Sequence, residues 1–186
     1  MTVKSHFFEL VSSRRSVRKY LDKKISREMI LQCLEAARLA PSAENAQPWR
    51  FLVIDDENIK SKFADEVFSG IYSYSKFAAK APVFILLMGH LDFIAHRVGK
   101  QIQNISFDLL DLGIAGEHIV LQAEDLGIGA CWIGWFNTKK TRRFFKIPKK
   151  YKIVALLALG YSAHKRRREK RRKKLEEIVW FNKINH

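Results

Sequence analysis

Residues 111–134 read DLGIAGEHIVLQAEDLGIGACWIG, and the apolar period changes within them. Ile102, Ile105, Leu109, Leu112, Gly116, Ile119, Ala123 and Leu126 recur at three- and four-residue spacing. That spacing predicts a long helix from about Gln101 to Leu126, of the kind found in a core or a dimer seam. Gly113 and Gly116 cost this helix propensity, which points to the close approach of another backbone or of a ligand. Gly127 and Gly129 end it, and Ala130 to Ile133 reads as a strand. Gly134, set between large apolar residues, lets a backbone amide reach a planar ligand with no side chain in the way.

Upstream, the run from Val83 to Met88 is apolar at every position, as in a strand buried on both faces. Downstream, Ile153 to Leu159 reads as another strand and Thr138 to Phe145 as a short helix. Toward the N-terminus lie a helix near His6 to Val11, a helix capped by Ser26 and running to about Leu39, a strand at Arg50 to Ile54 and a weaker helix from Asp56 to Ser69. Strands and helices do not alternate as repeated βαβ units, so the class is α+β, with a mixed sheet flanked by helices.

The 186 residues suit one domain, and 47% hydrophobic content supplies a core. No apolar run approaches the roughly 18 residues of a membrane span, and no secretory leader is recognisable, so a cytoplasmic protein is expected. Cys33 and Cys131 read as small buried residues, and no metal site is expected: Asp108 and Asp111 lack a third ligand. The net charge of +15 is concentrated, with 17 basic residues against one acid, Glu169, between Lys139 and Lys174. The densest run, Lys165 to Lys174, suits an anionic partner: a phosphate, a nucleic acid or an acidic protein.

Four segments could carry chemistry. Arg14, Arg15, Ser16 and Arg18 place three guanidinium groups and a hydroxyl within five positions, a set that matches phosphate oxygens. Pro41 to Trp49, PSAENAQPW, offers Ser42, Asn45 and Gln47 as donors and acceptors and Trp49 as a flat apolar surface. The third is LGIGACWIGWF, residues 126–136, and the fourth the basic tail, REKRRKKLEEIVWFN, read as a cationic stretch before an amphipathic helix bearing Ile178, Val179 and Phe181.

In this order, RRSVRKY, APSAENAQPWRF, the 111–134 stretch, LALGYSAHK and RRKKLEEIVW resemble the FMN-dependent nitroreductase family over nearly the whole chain. The resemblance implies a homodimer of a nitroreductase-like fold with the long central helix at the interface and an FMN in each of two interfacial clefts. It divides the chain into an FMN-binding domain, residues 1–164, and a basic C-terminal extension, residues 165–186, that completes the flavin site and the dimer. Arg14, Arg15, Ser16 and Arg18 match the motif for the FMN phosphate and ribityl chain, and Lys170 and Arg172 the basic pair that closes on the phosphate. Pro41, Ser42, Ala43 and Asn45 match the loop that reaches the partner's flavin. Trp132, Ile133 and Gly134 match the strand against the isoalloxazine ring, with the Gly134 backbone amide near N5. Trp135 stands where many relatives carry a small residue, so a narrowed cleft or an altered entrance to it is expected.

The implied activity is ping-pong transfer of a hydride from NAD(P)H, as co-substrate, through flavin N5 to a small planar electron-poor acceptor such as a nitroaromatic or quinone. No catalytic triad is needed, because the cofactor carries the chemistry. Two alternatives remain open from the sequence. One is a basic nucleic-acid-binding protein, against which stands the lack of a recognisable binding module, so that only weak nonspecific affinity is expected. The other is a same-fold enzyme that remodels flavin or acts as a dehalogenase.

Overall fold

The computed structural model describes residues 5–90, 105–164 and 170–184. Four strands form its frame: β1 (Trp49–Ile54), β2 (Val83–His90), β3 (Gly129–Ile133) and β4 (Tyr151–Gly160), in the order β1-β2-β4-β3. Along β2 successive side chains enter opposite cores. Val83, Ile85 and Leu87 pack with α2 (Arg27–Arg38) and α4 (Phe107–Asp125), while Phe84, Leu86 and Met88 pack with α3 (Glu57–Val67) and the aromatic residues around α5 (Thr138–Phe144). Burial on both faces is why this strand has no polar alternation, each such side chain contributing about 1.5–3 kcal/mol.

All four strands pair antiparallel. The expected mixed sheet is therefore corrected: among the described residues parallel pairing is confined to a single bridge between Ser16 and Ala130. Between Leu87 and Met88 the β2–β4 register slips, leaving Val154 as the extra residue of a bulge.

Helix α4 begins at Phe107, later than expected, and the predicted start at Gln101 to Asn104 lies outside the described residues. Its end is a Schellman motif: the Gly127 amide donates to the Glu124 carbonyl and the Ile128 amide to the Ala123 carbonyl, with Gly127 at φ +73°. α2 starts where Ser26 accepts from the Met29 amide, and α3 where Asp56 accepts from the Ile59 amide. Two further differences concern Gly70–Lys80, which forms successive 3-10 turns, and the tail. The expected amphipathic tail helix is reduced to one 3-10 turn at Leu175–Glu177, with Ile178, Val179 and Phe181 exposed. Among the described residues no helix is long and apolar enough to cross a membrane.

Candidate functional site

The N-terminal motif is fixed in place by β3. After α1 (His6–Ser13) the chain turns extended, Ser16 bridges Ala130, and the Val17 amide donates to the Ala130 carbonyl at 3.0 Å. The approach is close enough that a Cβ at Gly129 would come within 2.4 Å of Val17 Cγ2, so only glycine allows it. Further along, the Leu21 amide donates to Tyr161 and the Ala163 amide to Lys19, while the buried Tyr20 hydroxyl donates to the Val17 carbonyl at 2.7 Å. Burial pushes the Tyr20 phenol well above its ordinary pKa, so it stays a donor.

This pinned segment forms one wall of a cleft of about 1090 Å³. Among the described residues seven cationic side chains line it, Arg14, Arg15, Arg18 and Lys19 from the N-terminal motif and Lys170, Arg171 and Arg172 from the tail, against one carboxylate, Glu124. Ser16 and His164 are there as well, with Tyr74 and Phe77 supplying an aromatic wall. Burial, followed by the charges of Arg15, Arg14 and Arg172, pulls the Lys170 ammonium below its usual pKa. The part of that depression due to the arginines reflects crowded positive charge, which an anion would relieve.

The cations differ in freedom. Arg15 donates to the carbonyls of Ser12, Ser13 and Arg14, closing the C-terminal end of α1. Arg14 lies 3.7 Å from Glu117, which also accepts from the Trp132 indole N–H at 3.1 Å. Arg18 is exposed and lies over the Phe77 ring at 5.8 Å. Lys170 donates to the Val11 carbonyl, bringing the tail onto α1.

The other sequence-derived positions lie apart from the cleft. Ser42 accepts from the Gln47 amide and Asn45 from the Gln47 side chain; Ala43 donates its amide to the buried Asp111, and Pro41 is exposed. Trp49 is corrected: it is 6% exposed and belongs to the core rather than offering a surface. The Trp132 ring lies over α4, Ile133 is buried in the opposite core, and Gly134 is exposed with no atom within 4 Å of a Cβ position. Gly116 is corrected too. The group close to it is the Trp132 side chain, with Leu87, and not a backbone or ligand. Asp108 pairs with Lys152 and His118 with its own helix at Ile114; among the described residues no metal-holding cluster occurs.

Sequence reading missed Tyr74, Phe77, Lys19, Arg171 and Glu117. Tyr74 and Phe77 stand three apart, the spacing at which side chains of a 3-10 helix share a side, but that signal requires knowing the segment is 3-10.

The chain that builds this basic cleft on β3 matches the model of the Nitroreductase family over residues 11–161. The chain belongs to the nitroreductase family. A relative from Methanothermobacter thermautotrophicus, provisionally named NADH dehydrogenase/NAD(P)H nitroreductase, is 30% identical over 165 residues, covering 86% of this chain and 79% of the relative. The crystal structure of a nitroreductase family protein from Clostridium difficile 630 superposes with TM-score 0.81 at 30% identity, covering 97% of this chain and all of the other. An FMN-dependent nitroreductase from Clostridium difficile R20291 gives TM-score 0.76 at 27% identity, covering 95% and 99%.

Proposed function

We propose that this chain is an FMN-dependent oxidoreductase that takes a hydride from NAD(P)H and delivers it to a planar, electron-poor acceptor. The observation that carries the reading is the cation cluster at the start of β3, where burial and then the neighbouring arginines lower the pKa of the Lys170 ammonium. A phosphate dianion fits such a cluster: Arg14, Arg18, Lys170 and Arg172 hold it by charge-assisted hydrogen bonds, Ser16 adds a hydroxyl, and Arg15 contributes field while capping α1. Gly134, five residues beyond Gly129 and so about 16 Å along the strand, offers an uncovered backbone where the ring would lie. FMN held there by Arg14, Ser16, Arg18, Lys170 and Arg172 would supply the redox chemistry, ping-pong hydride transfer through N5 from NAD(P)H to a nitroaromatic or quinone.

The chain's own residues bind and orient. Glu117 holds Arg14 and the Trp132 indole together, so the phosphate end and the strand beneath the ring keep a fixed relation. The active unit is a homodimer. Leu109, Leu110 and Ile114 of α4 are exposed, as are Phe7, Phe8 and Val11 of α1, and a second copy would cover such apolar side chains. The loop of Pro41, Ser42, Ala43 and Asn45, which is outside its own chain's cleft, serves the partner's. Residues 1–164 form the FMN-binding domain, and the extension from 165 completes it, as the Lys170 contact with α1 supports. The reading places the enzyme in the cytoplasm, where NAD(P)H is supplied.

The test is titration of the protein with FMN and with riboflavin, which has the same ring and no phosphate. FMN is expected to bind at least tenfold tighter. Equal affinity would remove the phosphate from the cleft and the reading with it.

A further inference from the structure

We propose that Trp135, with Tyr72 and Tyr74, forms the subsite that receives the acceptor, and that its ligand is a flat, electron-poor ring stacked on the indole face. The proposal deepens the flavin reading and rests on it for the acceptor's role. Trp135 is 55% exposed, yet its ring is not free to turn, because Nε1–H donates to the Ile71 carbonyl at 2.8 Å. With its one hydrogen-bonding atom used, what the indole still offers is a π face. The Tyr72 ring lies 5.3 Å away, tilted by 47°, and backs the indole. Tyr74, two residues beyond Tyr72 on the same 3-10 segment, is 86% exposed and lines the basic cleft.

Two links hold these aromatic residues beside the strand end: the Trp135–Ile71 bond and the Asn137 amide donating to the Val67 carbonyl at 3.1 Å. Next to Trp135 is Gly134, where, chain neighbours aside, no atom of the described residues comes within 4 Å of a Cβ position. Trp135 and Tyr72 do not line the cleft themselves, but they stand beside or on the segment whose Tyr74 does, and an exposed aromatic pair held in place beside a cleft marks a binding surface. Electron-rich indole and phenol rings complement a ring depleted by nitro or carbonyl groups, and they offer no charge to bind an aliphatic or strongly hydrated acceptor.

The test has two arms. In 1H–15N spectra of the full chain, the Trp135 indole N–H, assigned by its loss in Trp135→Phe, is expected to shift on titration with 4-nitrobenzyl alcohol and not with cyclohexylmethanol. In NAD(P)H-driven turnover, Trp135→Ala is expected to raise KM for menadione about 3- to 10-fold relative to ferricyanide, which has no ring to stack. Trp135→Phe is expected to restore most of that loss, although it cannot donate to Ile71; a residue that merely props the 70–80 segment would not be rescued. An indole resonance that ignores both alcohols or follows both equally, or a KM change shared by menadione and ferricyanide, overturns the subsite. A chain that binds no FMN overturns the flavin reading instead, and the alcohol titration then decides the subsite by itself.

Discussion

The Trp132 indole lies directly over Gly116 of α4: a Cβ there would fall 2.2 Å from Cη2 of the ring and 2.7 Å from Leu87 Cδ2. One hydrogen atom on the helix thus decides where the tryptophan of β3 sits. The neighbouring residue, Glu117, accepts from the same indole and faces Arg14.

Gly116→Ala should therefore destabilise the fold by about 1–3 kcal/mol, the cost of overpacking a core that cannot yield. Chemical denaturation measures it. Trp132→Phe, which removes the atoms in the way, should recover part of the loss, so that the two substitutions are clearly non-additive. Additive effects would mean that the ring is placed by something other than Gly116.

Arg14→Ala and Arg18→Ala should each weaken FMN binding by about 1.5–3 kcal/mol, the value of a hydrogen bond to a charged group. Riboflavin affinity should move much less, since it brings no phosphate. Flavin fluorescence titration reads both. Unchanged FMN affinity in both variants would place the phosphate elsewhere.

Lys170 gives a pH dependence of defined sign. Its pKa is lowered by burial and by Arg15, Arg14 and Arg172, so the unfolded chain holds this proton more tightly than the fold does. In the FMN-free protein the ammonium opposes folding below its depressed pKa, and stability rises with pH between that value and the ordinary lysine value. A bound phosphate favours the charged form, so FMN affinity should fall as pH rises through the depressed pKa. Lys170→Arg, which keeps its charge, should hold affinity constant over the alkaline range where the wild type loses it. An equally flat wild-type profile would remove Lys170 from the phosphate site.

Asn45→Ala should lower flavin occupancy through the partner's cleft. In mixed dimers of Asn45→Ala with Arg14→Ala, the cleft that carries both changes should lose FMN and the other should keep it near wild-type affinity. Two equally weakened clefts would show that the loop serves its own chain.

The core was legible because burial imposes simple patterns. Val83 to Met88 is apolar throughout because both its faces are covered, and Ser26 announces α2 because a cap needs a side-chain acceptor at that position. The arginine motif was legible as phosphate chemistry for a similar reason, since guanidinium spacing is a local property. What joins the motif to β3 was not. The Val17–Ala130 hydrogen bond pairs residues more than a hundred positions apart, and Gly129, which permits it, reads in sequence as a helix stop. Gly116 was legible as a close approach but not as to what approaches. The tail misled because Leu175 to Phe181 has helical periodicity while its apolar side chains stay exposed, and periodicity alone does not stabilise so short a helix.

The most direct test of the whole account is the visible absorption spectrum of the purified protein loaded with FMN, recorded without oxygen before and after NADH and then NADPH. A bound flavin band that bleaches with at least one of the two, and returns when menadione is added, is the predicted result. No flavin band after FMN addition, or a bound flavin that neither nucleotide bleaches, would contradict it.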